Sequence, residues 1–93
     1  MTLDHATVDA AIAGTGWTRE NDELVRVVRR PDFAGALAFV NAVGAAAEAA
    51  DHHPDIDLRW NTVTLRLTTH SEGGLTTRDL DLAREIDALD TGA

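Results

Sequence analysis

Residues 62–69 read Thr-Val-Thr-Leu-Arg-Leu-Thr-Thr, an alternation of polar and apolar side chains. Successive side chains of a β-strand point to opposite faces, so this period of two predicts a strand with one buried face. Val63, Leu65 and Leu67 are expected to face the core. The polar phase of the same pattern continues to His70, which places this residue at the end of the strand.

The segments before this strand complete two predicted hairpins. A short strand is expected at residues 56–58, and a turn at residues 59–61 joins it to the long strand. A second pair of strands is expected at residues 17–20 and 23–30, joined by an Asn-Asp turn signal. The chain therefore supplies strands for an antiparallel sheet.

Three further segments have the apolar spacing of helices. Asp4, Asp32 and Thr76 are the expected N-caps, because such side chains accept hydrogen bonds from the unpaired amides of a first helical turn. Asp79, three residues after Thr76, resembles the acidic partner of a capping box. The second helix is expected to run to about residue 50 and to bury one apolar stripe. The members of that stripe are Phe33, Ala36, Leu37, Val40, Val43 and Ala47.

The order helix, strand, strand, helix, strand, strand, helix predicts an α+β fold with two layers. We expect a four-stranded antiparallel sheet with three helices packed on one face, since each layer must bury its apolar side against the other. The length of 93 residues fits a single domain over residues 1–93. A core of this size is marginal and an open sheet leaves unpaired edges, so we expect a homodimer or a homotetramer.

Composition and charge exclude several classes of function. The chain has 16 acidic residues against 8 basic ones, a formal net charge of -8. This balance repels nucleic acids and anionic membranes, so neither is expected as a partner. The absence of cysteine excludes disulfide scaffolds, thiolate zinc sites and thiol catalysis. The sequence has no apolar run suited to a membrane span and begins without a secretion signal, so we expect a cytoplasmic protein.

Three histidines lie at the ends of predicted elements. His52 and His53 follow the second helix, and His70 ends the long strand. Histidine is the side chain best suited to move protons near neutral pH, which makes these residues candidates for general acid–base catalysis. Each could instead be a solvated residue at the end of a helix or strand. A metal site is a further alternative, but the chain lacks the spacing of helical metal sites, so no metal is expected.

A set of motifs surrounds these histidines. Residues 48–55 read Glu-Ala-Ala-Asp-His-His-Pro-Asp; Trp60 follows, then Thr-His at residues 69–70 and Gly-Leu-Thr-Thr-Arg-Asp at residues 74–79. The set resembles the pterin-4a-carbinolamine dehydratase family. A Gly-Trp pair and an Asp-Phe pair earlier in the chain also match, so the resemblance covers nearly the whole sequence. The fold that it implies is the two-layer fold predicted above.

The resemblance implies an enzyme that removes water from a 4a-hydroxytetrahydropterin and forms the quinonoid dihydropterin. The reaction recycles the pterin used by aromatic amino acid hydroxylases, and no metal or other cofactor is expected. His52 and His70 match the histidines that transfer protons in the family, and His53 matches a histidine that helps to bind the pterin. Glu48 matches the acidic residue beside the first histidine, and Asp79 matches a late acidic residue. The expected catalytic set is therefore His52, His53, His70 and Glu48.

The resemblance also implies a set of residues that bind the pterin. They are His53, Asp51, Pro54, Asp55, Thr69 and Asp79. Two positions depart from the family pattern. Ile56 stands where the family often has a tryptophan that would form an aromatic wall, and Arg30 stands where an aromatic residue is common.

A non-catalytic module on the same fold is the alternative. Relatives of the family imply three such roles: binding pterin without turnover, dimerisation of a transcription factor, and assembly of a carbon-fixing enzyme. Dimerisation and assembly do not require the histidines and carboxylates described above. Since the whole set is present, the enzyme is the preferred interpretation.

Overall fold

The computed structural model describes residues 1–90. They form the predicted order of elements and confirm the α+β class. The elements are α1 (His5–Ile12), β1 (Thr18–Glu20), β2 (Glu23–Arg29), α2 (Phe33–Ala50), β3 (Asp55–Arg59), β4 (Thr62–Leu67) and α3 (Thr77–Leu89), with a short 3-10 turn at His70–Glu72 before α3. The predicted caps are confirmed, since Asp4 accepts a hydrogen bond from the amide of Thr7 and Asp32 accepts one from Gly35.

All strands pair antiparallel in the order β1-β2-β4-β3, so β2 and β4 form the centre of the sheet. Leu24 of β2 pairs with Leu67 of β4, and Val28 pairs with Val63, and these four residues are all buried. The predicted inward phase of β4 is therefore confirmed. The helices pack on this buried face, and their apolar residues join those of the sheet in one core cluster.

The long strand ends at Leu67, two residues earlier than the predicted limit of residue 69. Thr69 leaves the ladder with β2 and instead forms an isolated bridge with Gly74. The alternation of side chains predicted which face of the sheet each residue of β4 occupies up to this point. It could not predict that the chain folds back on itself directly after the strand.

The buried stripe of α2 differs in part from the predicted one. Ala36, Val43 and Ala47 are buried as expected, and Phe39 joins them. Leu37, however, is 40% exposed, as is Phe33 at 44%. Each residue turns an α-helix by about 100°, so Leu37 lies at the margin of a stripe centred on the buried residues. Hydrophobic character alone could not distinguish the centre of the face from its margin.

Helix α2 is long and apolar enough, by length and composition, to cross a membrane, with a mean hydropathy of 1.5 over 18 residues. A single helix of this kind is weak evidence, because the core helix of a soluble protein meets the same test. Here α2 contacts α3, β3 and β4. Its apolar composition is accounted for in part by the face that it buries in the core.

An ionic cluster joins the C-terminal end of α3 to the sheet. Arg26 of β2 donates hydrogen bonds to Asp87 and Asp90, and the indole Nε1 of Trp17 donates to Asp87 at 2.8 Å. Gly16 lies against this arginine, because a Cβ atom at Gly16 would come within 2.8 Å of the Arg26 guanidinium carbon. The absent side chain at Gly16 therefore leaves room for the cluster.

Replacing Gly16 by Ala is expected to destabilise the fold by about 1–3 kcal/mol, the usual cost of forcing extra volume into a packed site. The added methyl group must shift the Arg26 guanidinium, which its two carboxylate partners hold in place. Urea denaturation of Gly16→Ala, Arg26→Met and the double variant measures the effect. If the double variant loses the full sum of the two single effects, the steric explanation is wrong, because that sum indicates independent sites.

Candidate active site

The end of α2 determines where His52 lies. Asp51 adopts a left-handed conformation with φ 51° and ψ 44°, which ends the helix. The backbone amide of His52 then turns back to the carbonyl of Ala47, at 3.1 Å. Asp is among the non-glycine residues that tolerate this conformation. The reversal places the His52 side chain in the interior beside α3.

The carboxylate of Asp79, in the first turn of α3, is the partner of His52. The distance from His52 Nε2 to Asp79 Oδ1 is 2.6 Å. The second oxygen, Oδ2, accepts the hydroxyl of Thr69 at 2.7 Å and the backbone amide of Thr76 at 2.9 Å. Asp79 is 0% exposed, and a charge buried to this extent is tolerated only when it is paired and hydrogen-bonded. One carboxylate therefore connects the end of α2, the segment after β4 and the start of α3.

The same contacts set the direction of the hydrogen bonds. Since the only hydroxyl hydrogen of Thr69 is donated to Asp79, Thr76 must donate its own to the oxygen of Thr69, at 2.8 Å. His52 must likewise carry its hydrogen on Nε2 in order to donate to Asp79. The other ring nitrogen, Nδ1, has no hydrogen-bond partner within residues 1–90, and it is not among the buried polar atoms that lack one. Nδ1 therefore keeps some exposure to solvent.

The segment after β4 holds His70 in a closed turn. The backbone groups of Thr69 and Gly74 bond to each other, at 3.1 Å and 3.4 Å. Gly73 ends the 3-10 turn with φ 72°, a conformation that glycine adopts without strain. Glu72 pairs with the amino group of Met1, and the hydrogen bond and positive charge of that group hold the pKa of the Glu72 carboxyl below its usual value. His70 itself is exposed.

A cavity of about 210 Å³ joins these elements. Its walls are formed by Asp51, His52, His53, Thr68, Thr69, His70, Ser71 and Arg78. All three late histidines therefore line one space, although they come from the end of α2 and from the turn after β4. The residues that contribute to this space include five from the sequence-predicted set: Asp51, His52, His53, Thr69 and His70.

The other predicted residues lie outside the wall of this cavity. Glu48 is in the last turn of α2, where its carboxylate bonds to Nε2 of His53 at the surface. Asp79 reaches the cavity only through its contacts with His52 and Thr69. Pro54 and Asp55 lie where the chain enters β3. Asp55 is exposed, and it lies opposite Arg66 in the antiparallel pairing of β3 with β4. Their predicted roles remain predictions.

Arg78 is the cavity residue that the sequence analysis did not identify. It lies in the first turn of α3, and its Nη2 donates to the backbone carbonyl of Asp51 at 2.5 Å. An arginine in an exposed helical position is by default a solvated surface residue. Only the neighbouring Asp79 gave a local signal, and the contact with Asp51 spans 27 residues of sequence.

The described residues 1–90 contain no group of three or more His, Cys, Asp or Glu side chains arranged to hold a metal ion. Two of the three histidines of the cavity each contact one carboxylate, His52 that of Asp79 and His53 that of Glu48.

Comparison with known proteins identifies the family. The family model described as pterin 4 alpha carbinolamine dehydratase matches residues 1–89. The chain belongs to this family. A Nocardia farcinica protein named "putative pterin-4-alpha-carbinolamine dehydratase" is 60% identical over 73 residues, which are 78% of this chain and 77% of the relative. A Roseiflexus sp. protein of the same name is 56% identical over 75 residues, 81% of each chain.

Two solved structures show how the dehydratase fold is shared. A protein described as a transcriptional coactivator/pterin dehydratase from Brucella melitensis superposes with a TM-score of 0.90 at 30% identity, covering 96% of this chain and 98% of that one. A pterin dehydratase-like protein described as a RuBisCO assembly factor of the alpha-carboxysome gives a TM-score of 0.66 at 22% identity, over 81% and 87% of the two chains. The second similarity extends to the fold alone.

Replacing Asp79 by Asn is expected to destabilise the protein by about 1–3 kcal/mol, the usual cost of leaving a buried hydrogen-bond donor without an acceptor. The side-chain amide of Asn has an NH₂ group in place of one carboxylate oxygen. At least one of the three groups that now donate to Asp79 would then face N–H hydrogens instead of an acceptor. The measurement is the urea midpoint, with Asp81→Asn as the matched control, since Asp81 is exposed on the same helix and pairs only with Arg84. Equal midpoints for the two variants would show that the Asp79 network does not support the fold.

Proposed function

We propose that this protein is a dehydratase that converts a 4a-hydroxytetrahydropterin to the quinonoid dihydropterin and water. The observation that carries the proposal is the pairing of His52 with a buried carboxylate in the wall of a cavity that His70 also lines. The reaction requires one proton for the departing 4a-hydroxyl and the removal of one proton from a ring nitrogen of the pterin. Two imidazoles on one cavity meet that requirement.

We assign His52 as the base. Its Nε2–H is donated to Asp79, so Nδ1 carries the lone pair that accepts the proton from the pterin. The imidazolium formed in this way lies against a carboxylate that is already in place, as in the histidine–aspartate pair of a catalytic triad. The buried position of both groups strengthens this interaction, because few water molecules screen it.

His70 is then the acid. It protonates the 4a-hydroxyl as the carbon–oxygen bond breaks, and the hydroxyl leaves as water. One proton enters and one leaves the pterin, so the two histidines regain their starting states by exchanging protons with solvent. The exposure of His70 supports this role, since a surface imidazole exchanges its proton readily.

His53 is assigned to binding. Its ring lines the cavity but is half exposed and is held by Glu48 at the surface. A histidine in this position can orient the pterin through the side of the ring that faces the cavity. Asp51, Pro54, Asp55 and Thr69 belong to the proposed binding set, and Thr69 acts through the Asp79 network.

Replacing His52 or His70 by Ala is expected to lower kcat by roughly 10²–10⁴-fold, the usual worth of general acid or base catalysis. The lower end is expected, since a carbinolamine also loses water unaided. His53→Ala should mainly raise KM, and the double variant of His52 and His70 should lose less than the product of the two single effects. The assay supplies 4a-hydroxytetrahydropterin from a coupled hydroxylase reaction, and circular dichroism checks that each variant is folded.

His5→Ala is the matched control, because His5 lies on α1 and bonds only to Asp22. Its activity should equal that of the unchanged protein. If folded His52→Ala and His70→Ala variants keep full turnover, the catalytic assignment is wrong. Pterin binding without turnover in the unchanged protein would instead favour the non-catalytic module.

We also propose that the protein is a homodimer or homotetramer. Strands β1 and β3 each have one unpaired edge, and such edges are commonly covered by a second chain. Light scattering at micromolar concentration is expected to give at least twice the monomer mass of 10.0 kDa. A monomer under these conditions would contradict the proposal.

A further inference from the structure

The turn of residues 69–74, called here the His70 turn, carries a histidine whose side chain has no anchor of its own. His52 and His53 each contact a carboxylate, whereas the ring of His70 forms no hydrogen bond within residues 1–90. The place of this ring in the cavity wall therefore follows from the place of its backbone. The first and last residues of the turn bond to each other through their backbones. Contacts that hold the two ends of the turn therefore also hold His70.

Thr68 connects the start of the His70 turn to the turn between β1 and β2. The paired ladder of β2 and β4 ends at Leu24 and Leu67, so Thr68 is the first residue beyond it. The hydroxyl of Thr68 donates to the backbone carbonyl of Asp22 at 2.7 Å, a contact that spans 46 residues of sequence. A side-chain hydrogen bond thus continues the attachment to the sheet at the point where the backbone ladder stops.

A second contact holds the other end of the turn. The backbone amide of Leu3 donates to the carbonyl of Leu75, the residue after the turn, at 2.8 Å. Leu3 is partly buried and packs against the core. A Cβ atom at Gly74 would lie 3.1 Å from the methyl carbon of Thr2, so the chain before α1 passes close to the turn. Both ends of the turn are therefore held by the first part of the chain.

We propose that Thr68 is a positioning residue, whose hydrogen bond to the Asp22 carbonyl sets the place of His70 relative to His52. This inference rests on the proposed function, in which the two histidines must reach the same pterin. Thr68 takes no part in proton transfer, and its effect on the reaction passes through the backbone of the His70 turn.

The attachment of the turn to the core explains why a further contact is needed. Thr69 bonds to the buried carboxylate of Asp79, but a single attachment leaves the turn free to rotate about it. The contacts of Thr68 and Leu75 lie on either side of that attachment in the chain. Together the three contacts restrict the rotation that would carry His70 away from the cavity.

The loss of one such contact is expected to affect the rate more than the fold. A single hydrogen bond at the surface contributes little to the stability of a whole domain. In contrast, a displacement of about 1 Å at a catalytic group can lower the rate by roughly 10²-fold. A variant without the Thr68 hydroxyl should therefore be folded and slow.

Thr68→Val tests this expectation, because it removes the hydroxyl and keeps the branched shape of the side chain. We expect kcat to fall by roughly 10-fold, a part of the loss expected for His70→Ala, with a smaller change in KM. Thr68→Ser keeps a hydroxyl and should recover most of the activity. Thr64→Val is the matched control, since Thr64 precedes Thr68 on the same face of the strand and its hydroxyl forms no hydrogen bond in the described part of the chain.

The combination with His70→Ala distinguishes positioning from general structural support. If Thr68 acts through His70, Thr68→Val has no further effect on kcat once His70 has been replaced. A general loss of structure would lower the remaining activity of His70→Ala as well. An undiminished effect of Thr68→Val in the His70→Ala protein overturns the inference, and so does full turnover by Thr68→Val alone.

Amide hydrogen exchange, followed by NMR, tests the inference without turnover. The amides of Thr69 and Gly73 bond within the turn, and Thr68→Val should raise their exchange rates by roughly 2- to 10-fold, the worth of one hydrogen bond. His5→Ala should leave these rates unchanged, since it removes only the contact with the Asp22 side chain and not the carbonyl that accepts Thr68. Unaltered exchange in Thr68→Val overturns the positioning role.

The outcomes separate this inference from the proposed function. Dehydration by the unchanged protein together with unaltered exchange or unaltered turnover in Thr68→Val leaves the dehydratase in place and overturns the role of Thr68. Absence of dehydration by the unchanged protein contradicts the dehydratase. In that case faster exchange in Thr68→Val still supports Thr68 as the residue that holds the turn, and unaltered exchange contradicts it.

Discussion

The burial of the Asp79 carboxylate is the constraint on which the site depends. A carboxylate at 0% exposure needs a donor for each oxygen. The three donors come from separate parts of the chain: the ring of His52, the hydroxyl of Thr69 and the amide of Thr76. The connection between α2, the segment after β4 and α3 is therefore fixed by hydrogen bonding as well as by apolar packing. A shift of any of these elements would leave the charge without a partner.

This constraint divides the histidines into two kinds. His52 is buried and held in one orientation, and its hydrogen is confined to Nε2 by Asp79. His70 and His53 are exposed and belong to a short turn and to the end of a helix. A fixed imidazole beside a carboxylate suits the removal of a proton, whereas an exposed imidazole suits rapid exchange with water. The geometry thus gives different chemistry to residues of the same type.

The sequence predicted features that depend on neighbouring residues more reliably than those that depend on distant ones. The alternation at residues 62–69 gave the buried face of β4, and the caps Asp32 and Thr76 gave the starts of α2 and α3. The exposure of Leu37 was not predictable, because hydrophobic character alone does not distinguish the centre of the buried stripe from its margin. For the site, the motif resemblance supplied the histidines. The position of Arg78 in the cavity wall was not predicted, because its contact with Asp51 spans 27 residues of sequence.

The fold alone does not establish the chemistry. At 22% identity, the similarity to the protein described as a RuBisCO assembly factor extends to this fold alone, and one fold can carry several functions. A scaffold that only binds partners has no need of a buried carboxylate bonded to a histidine, because apolar groups of the same shape in place of both partners can be equally stable or more stable. In this chain the buried carboxylate contacts a histidine that lines a cavity. That arrangement costs stability relative to an apolar core and leaves an imidazole beside open space. We therefore infer that proton transfer, rather than the fold, accounts for the presence of Asp79.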